Sequence, residues 1–223
     1  MSIYLKKFRF LFTSLLLPYR NFFIYIFNSS RVLYPSIFLN KKYYIDPLIV
    51  QKRTSIPMKP KLGSQLFLDG DWDIKAVPIE EVFKYIPKYK TSKEIICQKL
   101  AIKETSEYEF VKSKISKDNE YKGFKDPIEY MKSIANLYDS IKIDGYRENN
   151  SVCRWIGEVE IAIGRGGEII KINSGNHRFA CAYLLGEKKI PVNLCAVHSN
   201  YKKQFMSDGI FKLNRNIEKI ING

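Results

Sequence analysis

The sequence predicts an α+β domain built on a small mixed sheet, and three stretches carry that expectation. EVEIAIG (158–164) alternates charged and apolar residues as a half-buried strand does. Arg165-Gly166-Gly167 is a tight hairpin signal, and EIIKI (168–172) is the return strand. NHRFACAYLLG (176–186) reads as an apolar helix closed by Gly186, and IPVNLCAV (190–197) as one more strand. Strand, hairpin, strand, helix, strand, with further helices stacked around it, is an α+β order.

The other elements follow along the chain. FRFLFTSLLLPYRNFFIYIF (8–27) is the most apolar stretch, but Arg9, Pro18 and Arg20 interrupt it, and a membrane span wants ~20 apolar residues in a row. Two short helices broken at Pro18 are expected, lying on a membrane surface or packed on protein. Lys6 and Lys7 before this run also resemble a signal peptide, but NSSRVLY is a poor cleavage site. Residues 28–65 hold Pro35, Pro47, Pro57 and Pro60 and read as a wrapping segment with short strands such as KYYIDPLIV. Asp69-Gly70-Asp71 is a turn, IKAVPI (74–79) a strand, and Glu80 starts a short helix. Residues 91–117 are expected to be helical on a broken apolar face. Another helix runs from Pro127 to Ile143 and is capped by Gly145. FMSDGIFKLNRNIEKII (205–221) reads as a helical tail. The expected divisions are therefore an extension over 1–65, the domain proper over 66–200 and the tail over 201–223.

Composition bounds the function. With 223 residues and 45% hydrophobic content the chain can bury one sizeable core, and 14% aromatic residues argue against disorder. The net charge is +14. Residues 1–60 carry ten Lys and Arg against one acid, Asp46, a balance of +9. Such a segment attracts nucleic acid or an anionic membrane, although a Lys-, Ile- and Asn-rich chain also reflects an AT-rich genome. The four cysteines form no C-x-x-C pair and there are only two histidines, so a zinc site is not expected and reduced intracellular thiols are.

The stretch KINSGNHRFACAYLLGEKKIPV (171–192) stands out chemically. A helix N-terminus presents unpaired N–H groups and the positive end of the helix dipole. Gly175 allows close approach of backbone to ligand, Arg178 can fork onto phosphate or carboxylate oxygens, and His177 can donate or shuttle a proton. Together these are the parts of a phosphate cradle. The same residue types also serve a purely structural role, with His177 bonded to neighbouring carbonyls and Arg178 bridged to a buried acid such as Glu158. Residue types alone leave both readings open.

SGNHRFACAYLLGEKKIPV resembles the G-x-H-R-x-x-A-x-x-L-G-x-x-x-I-P-V pattern of the ParB/sulfiredoxin-like superfamily. AVPIEEV (76–82) resembles that superfamily's opening strand. GDWD (70–73), DGY (144–146) and IGRGGE (163–168) are similar to motifs of a group of uncharacterised prokaryotic ParB-like proteins, so the likeness spans about 46–198. It implies a nucleotide held at the strand-to-helix turn by Gly175, Asn176, His177 and Arg178, with ATP or CTP and Mg²⁺ as cofactors. Superfamily members divide among CTP-hydrolysing DNA binders, sulfiredoxins, and kinases of small hydroxyl substrates. Sulfiredoxin chemistry needs a cysteine where this chain has Asn176. A DNA reader needs a helix-turn-helix after the nucleotide fold, and only about 25 residues follow Val197.

Phosphoryl transfer to a small hydroxylated molecule is therefore the expected activity, with His177 and carboxylates as catalytic groups. Asp71 and Asp73 rank first among the carboxylates because their turn flanks Trp72; Glu80, Glu81, Glu158 and Glu160 follow. Family members often carry Asp where Ser174 stands, and no metal ligand is assigned. Arg165 at the hairpin tip is expected in solvent, or reaching the same site. The alternatives are a nucleotide-sensing module without chemistry and a DNA-associated relative. The expected partners are a nucleotide and a small substrate, with an anionic membrane for residues 1–40 and DNA less favoured. The expected location is the cytoplasm, with membrane association through the same residues.

Overall fold

The computed structural model describes residues 43–56, 67–148, 158–204 and 209–222. The expectations for the apolar segment 8–27 and for a membrane-seeking 1–40 lie outside these residues. Among the described residues, no helix is long and apolar enough to cross a membrane.

Among the described residues the architecture is α+β: seven helices and one mixed seven-stranded sheet. The predicted hairpin forms as β5 (Val159–Ile163) and β6 (Ile169–Ile172), antiparallel with Ile161 opposite Lys171. Helix α5 (Asn176–Leu185) carries the chain across β5 to β7 (Ile190–His198), which runs parallel to β5. Short strands complete the sheet. Strand β1 (Tyr43–Ile45) lies antiparallel to β7, and β3 (Phe67–Leu68) pairs in parallel with the last residues of β7. On the other side, β2 (Lys52–Arg53) runs parallel to β6 and β4 (Val77–Pro78) closes that edge.

Side-chain alternation sorts β5 and β6 onto two faces. Val159, Ile161, Ile163 and Ile169 turn toward the helices and join Phe83, Tyr89 and Phe179 in the main core. Ala162, Ile170 and Ile172 turn the other way, under Trp72 and Leu68 of the segment that holds GDWD. Lys171 belongs to the first set by its register, a charged residue among isoleucines on the helix face.

The helices show where local chemistry overrides periodicity. Helix α1 (Ile79–Tyr85) opens with Glu80 and Glu81 at the positive end of its dipole, and α2 (Pro87–Lys93) starts on a proline. The single helix expected over 91–117 does not form. Glu94–Gln98 is a π-turn closed by Lys99 at φ 56°, and the chain restarts as α3 (Tyr108–Asp118). The Glu94 carboxylate explains the break: it accepts from the Ser106 amide (2.7 Å) and hydroxyl (2.5 Å), folding the chain back on itself. Helix α4 (Pro127–Asp144) matches its expected span, with Asp126 capping the Ile128 amide at 2.9 Å. The tail divides into α6 (Ser199–Lys203) and α7 (Gly209–Asn222), with Ile217 and Ile221 of α7 buried in the main core.

Candidate functional site

The turn from β6 into α5 is held from below. Lys171 is fully buried, and its ammonium donates to the carbonyls of Ile172 and Ser174 and, at 3.4 Å, to the Asn176 side-chain oxygen. Burial lowers its pKa to about 7, against the opposing pull of Glu160. The Ser174 amide donates to Glu160 at 3.0 Å, and the Tyr89 hydroxyl donates to Asn176 at 3.0 Å. Gly175 sits at φ 73°, and a Cβ there would lie 2.6 Å from the Glu158 carbonyl and 2.7 Å from Val159 backbone atoms. The close approach that requires this glycine is therefore to the protein's own strand β5.

The four residues expected to form one cradle diverge. Arg178 turns away along α5. Its Nε donates to the Tyr146 hydroxyl at 2.9 Å, its Nη2 donates to the Arg147 carbonyl, and it lies 3.7 Å from Glu158. That is the structural reading of Arg178, bridged to a buried acid. His177 faces α3 and α4 instead: Nε2 lies 3.3 Å from Glu107 and 3.2 Å from the Tyr130 hydroxyl, with Ser92 3.5 Å from Nδ1.

Around His177 a cluster gathers that the sequence reading did not contain. Glu107 is almost fully buried, and its amide is bonded to Thr91 at 3.0 Å. Burial pushes its pKa up, but the His177 contact and the charges of Lys88 and Lys122 outweigh this and hold it low. Tyr130 donates to Glu107 at 3.3 Å, and Lys122 approaches the same hydroxyl at 3.3 Å. Lys122 is exposed as a whole, but desolvation of its ammonium beside the Tyr121 and Tyr130 rings, and then the charge of Lys88, depress its pKa. Lys122 and Gly123 have φ of 51° and 89° in the turn that joins Tyr121 to Phe124. A non-glycine residue there costs about 1 kcal/mol or more, and such strain concentrates at functional positions. The Lys122 ammonium is thus joined to His177 through the Tyr130 hydroxyl, and the charge of Lys88 acts on both Lys122 and Glu107.

Asp71 and Asp73 are in a different place. Asp73 is 1% exposed and accepts from the Arg165 amide and Nε, both at 2.8 Å, and from Nη2 at 2.9 Å. Arg165 also donates to Asp71 and to the Gly70 carbonyl, each at 2.9 Å. His198 donates from Nε2 to that carbonyl at 2.8 Å, its Nδ1 accepting from the Asn200 amide. Burial raises the Asp73 pKa, but Arg165 outweighs it and brings it down to about 2. Arg165 keeps a third of its side chain in solvent, as expected of a hairpin tip, but it is not near His177: it clamps the GDWD turn to the hairpin. Gly175 packs on Val159 at one end of β5 and Arg165 follows the other end, so strand geometry separates them by ~20 Å. The single site expected from Asp71, Asp73 and His177 is not formed, because β5 lies between them.

Glu80 and Glu81 sit in the first turn of α1, with Glu80 exposed. Among the described residues, no group of three or more His, Cys, Asp or Glu is placed to hold a metal ion. Burial pushes the Cys181 and Cys195 thiols up to about 12, which leaves them unreactive. No family model, curated protein or solved structure matches the chain. Fold and site define an α+β protein with an excess of cations at the start of one buried helix.

Proposed function

We propose that the chain binds the phosphates of a nucleoside triphosphate at the start of α5, in the manner of ParB/sulfiredoxin-like proteins, and transfers a phosphoryl group to a small hydroxylated substrate. The observation that supports this is the convergence of Lys88, Lys122 and His177 on the first turn of α5, with Glu107 as the acid among them. Two ammonium groups held together repel, and a bound phosphate neutralises both while accepting the helix N–H groups. In this reading Lys88 and Lys122 take the role expected of Arg178. The acceptor oxygen attacks the γ-phosphorus as its bond to the bridging oxygen breaks, leaving a nucleoside diphosphate and a phosphomonoester. His177, oriented by Glu107, is the base this geometry offers for the hydroxyl proton. The described residues do not fit a resident Mg²⁺, since Asp71 and Asp73 are committed to Arg165 and Glu107 to His177. An ion arriving with the nucleotide is part of the substrate.

A sensing module without chemistry is the second reading, favoured by the pairing of the buried Glu107 with His177 and Tyr130. Incubation of the purified chain with ATP or CTP and a panel of sugars and amino acids decides between them. Nucleoside diphosphate released in proportion to a phosphorylated acceptor supports transfer. Nucleotide binding without turnover supports the sensor, and no binding removes both. A DNA shift that persists at low salt and vanishes at high salt, with no nucleotide binding, would support the DNA-associated alternative instead.

A further inference from the structure

Strand β2 contributes a residue that the reading above does not use. Arg53 is the register partner of Lys171 across the parallel β2–β6 pair, so the two cations stand side by side on the helix face. Like charges directly opposite are ordinarily selected against in a sheet. The guanidinium lies 5.8 Å from the centre of the Tyr89 ring, the same tyrosine that bonds Asn176 in the first turn of α5. Its Nε is buried without a hydrogen-bond partner among the described residues, while the guanidinium also reaches the Tyr89 hydroxyl. Leaving a buried donor unpaired is costly, so an acceptor is expected there when the site is in use. Lys88 links this corner to the other, since its charge acts on Lys171 and on Lys122 alike.

We infer that Arg53, with Lys88 and the turn held by Lys171, forms a second anion subsite adjoining that of Lys122 and His177, so that the ligand carries two or more linked phosphates. The inference rests on the phosphate site proposed above and adds a specificity residue to it. One phosphate lies between Lys88, Lys122 and the α5 N-terminus, and the next accepts from Arg53. Lys88 serves both. A single phosphate fills one subsite only, whereas a diphosphate unit fills both without a second loss of translational freedom.

The test is calorimetric titration of the full chain with orthophosphate, pyrophosphate and tripolyphosphate at low ionic strength. Wild type is expected to bind pyrophosphate about ten-fold more tightly than orthophosphate. Arg53→Gln should abolish that preference and leave orthophosphate affinity unchanged, while Lys122→Gln should weaken both anions. Arg53→Lys, which keeps the charge and is compatible with the strand, should retain part of the preference even if Arg53→Gln folds poorly. Equal affinity for the two anions in wild type, or equal weakening of both in Arg53→Gln and Arg53→Lys, overturns the second subsite and leaves the first standing. Failure of wild type to bind any of the three anions overturns both.

Discussion

The two ends of strand β5 carry charge in opposite ways. Beyond Ile163, Arg165 meets Asp71 and Asp73, and His198 meets the carbonyl of Gly70, so each charged group answers another. Before Val159, at the turn into α5, Arg53, Lys88, Lys122 and Lys171 gather around Glu107 and Glu160. The first arrangement is complete in itself and fixes a loop to a hairpin. Among the described residues the second holds more cations than acids. The acid-rich motif is thus engaged with Arg165, whereas the proposed phosphate site rests on lysines that belong to no motif.

The contrast can be broken most forcefully at the balanced end. Asp73→Ala leaves the Arg165 and Ile74 amides and the Arg165 Nε without their acceptor, while Nη2 keeps Asp71 and Gly70, and should destabilise the fold by about 2 kcal/mol in urea unfolding. Phosphate affinity should not change, because that end lies ~20 Å from α5 by strand geometry. Gly175→Ala should cost about 2 kcal/mol from the strained φ and the clash with the Glu158 carbonyl. Since it disturbs the turn itself, phosphate binding should weaken with it. Lys122→Gln should reverse this pattern, with stability within about 0.5 kcal/mol of wild type and phosphate affinity reduced about ten-fold.

The pH dependence sharpens the same division. Asp73, held low by Arg165, contributes stability that is complete above its unfolded value near 3.8 and is lost as pH falls toward about 2. Lys171 acts at the other extreme. Its folded pKa of about 7 lies below the free value of 10.5, so between these values the unfolded chain binds the extra proton and stability rises with pH. Thermal unfolding of Lys171→Met from pH 6 to 10 should show that rise flattened.

Much of the fold was legible because it follows from period and punctuation. The alternation of 158–164, the Arg-Gly-Gly turn and the glycines flanking α5 specify β5, β6, α5 and β7 locally. The break within 91–117 was not legible, since it depends on Glu94 reaching Ser106 twelve residues later. The candidate site was legible only in part. His177 was found from its place at a helix start, and Arg178 was seen to have a structural use with Glu158. Glu107, Tyr130 and Lys122 come from α3, α4 and the turn between them, and only tertiary packing brings them to His177. Two local signals did exist: a lone lysine among isoleucines in EIIKI, and Lys-Gly in a tight turn at 122–123. The pairing of Asp71 and Asp73 with Arg165 was not legible, because an acidic turn beside a tryptophan looks the same whether its partner is a substrate or an arginine ~90 positions away.

The central claim is that the unbalanced end binds phosphate and the balanced end only holds the fold. It is tested most directly by thermal unfolding of three full-length proteins with increasing ATP: wild type, the double variant Lys88→Gln/Lys122→Gln, and Asp73→Asn. Wild type and Asp73→Asn should show a saturable rise in midpoint, the latter from a lower starting point, and the double variant none. A rise that survives in the double variant, or one lost only in Asp73→Asn, would contradict that claim.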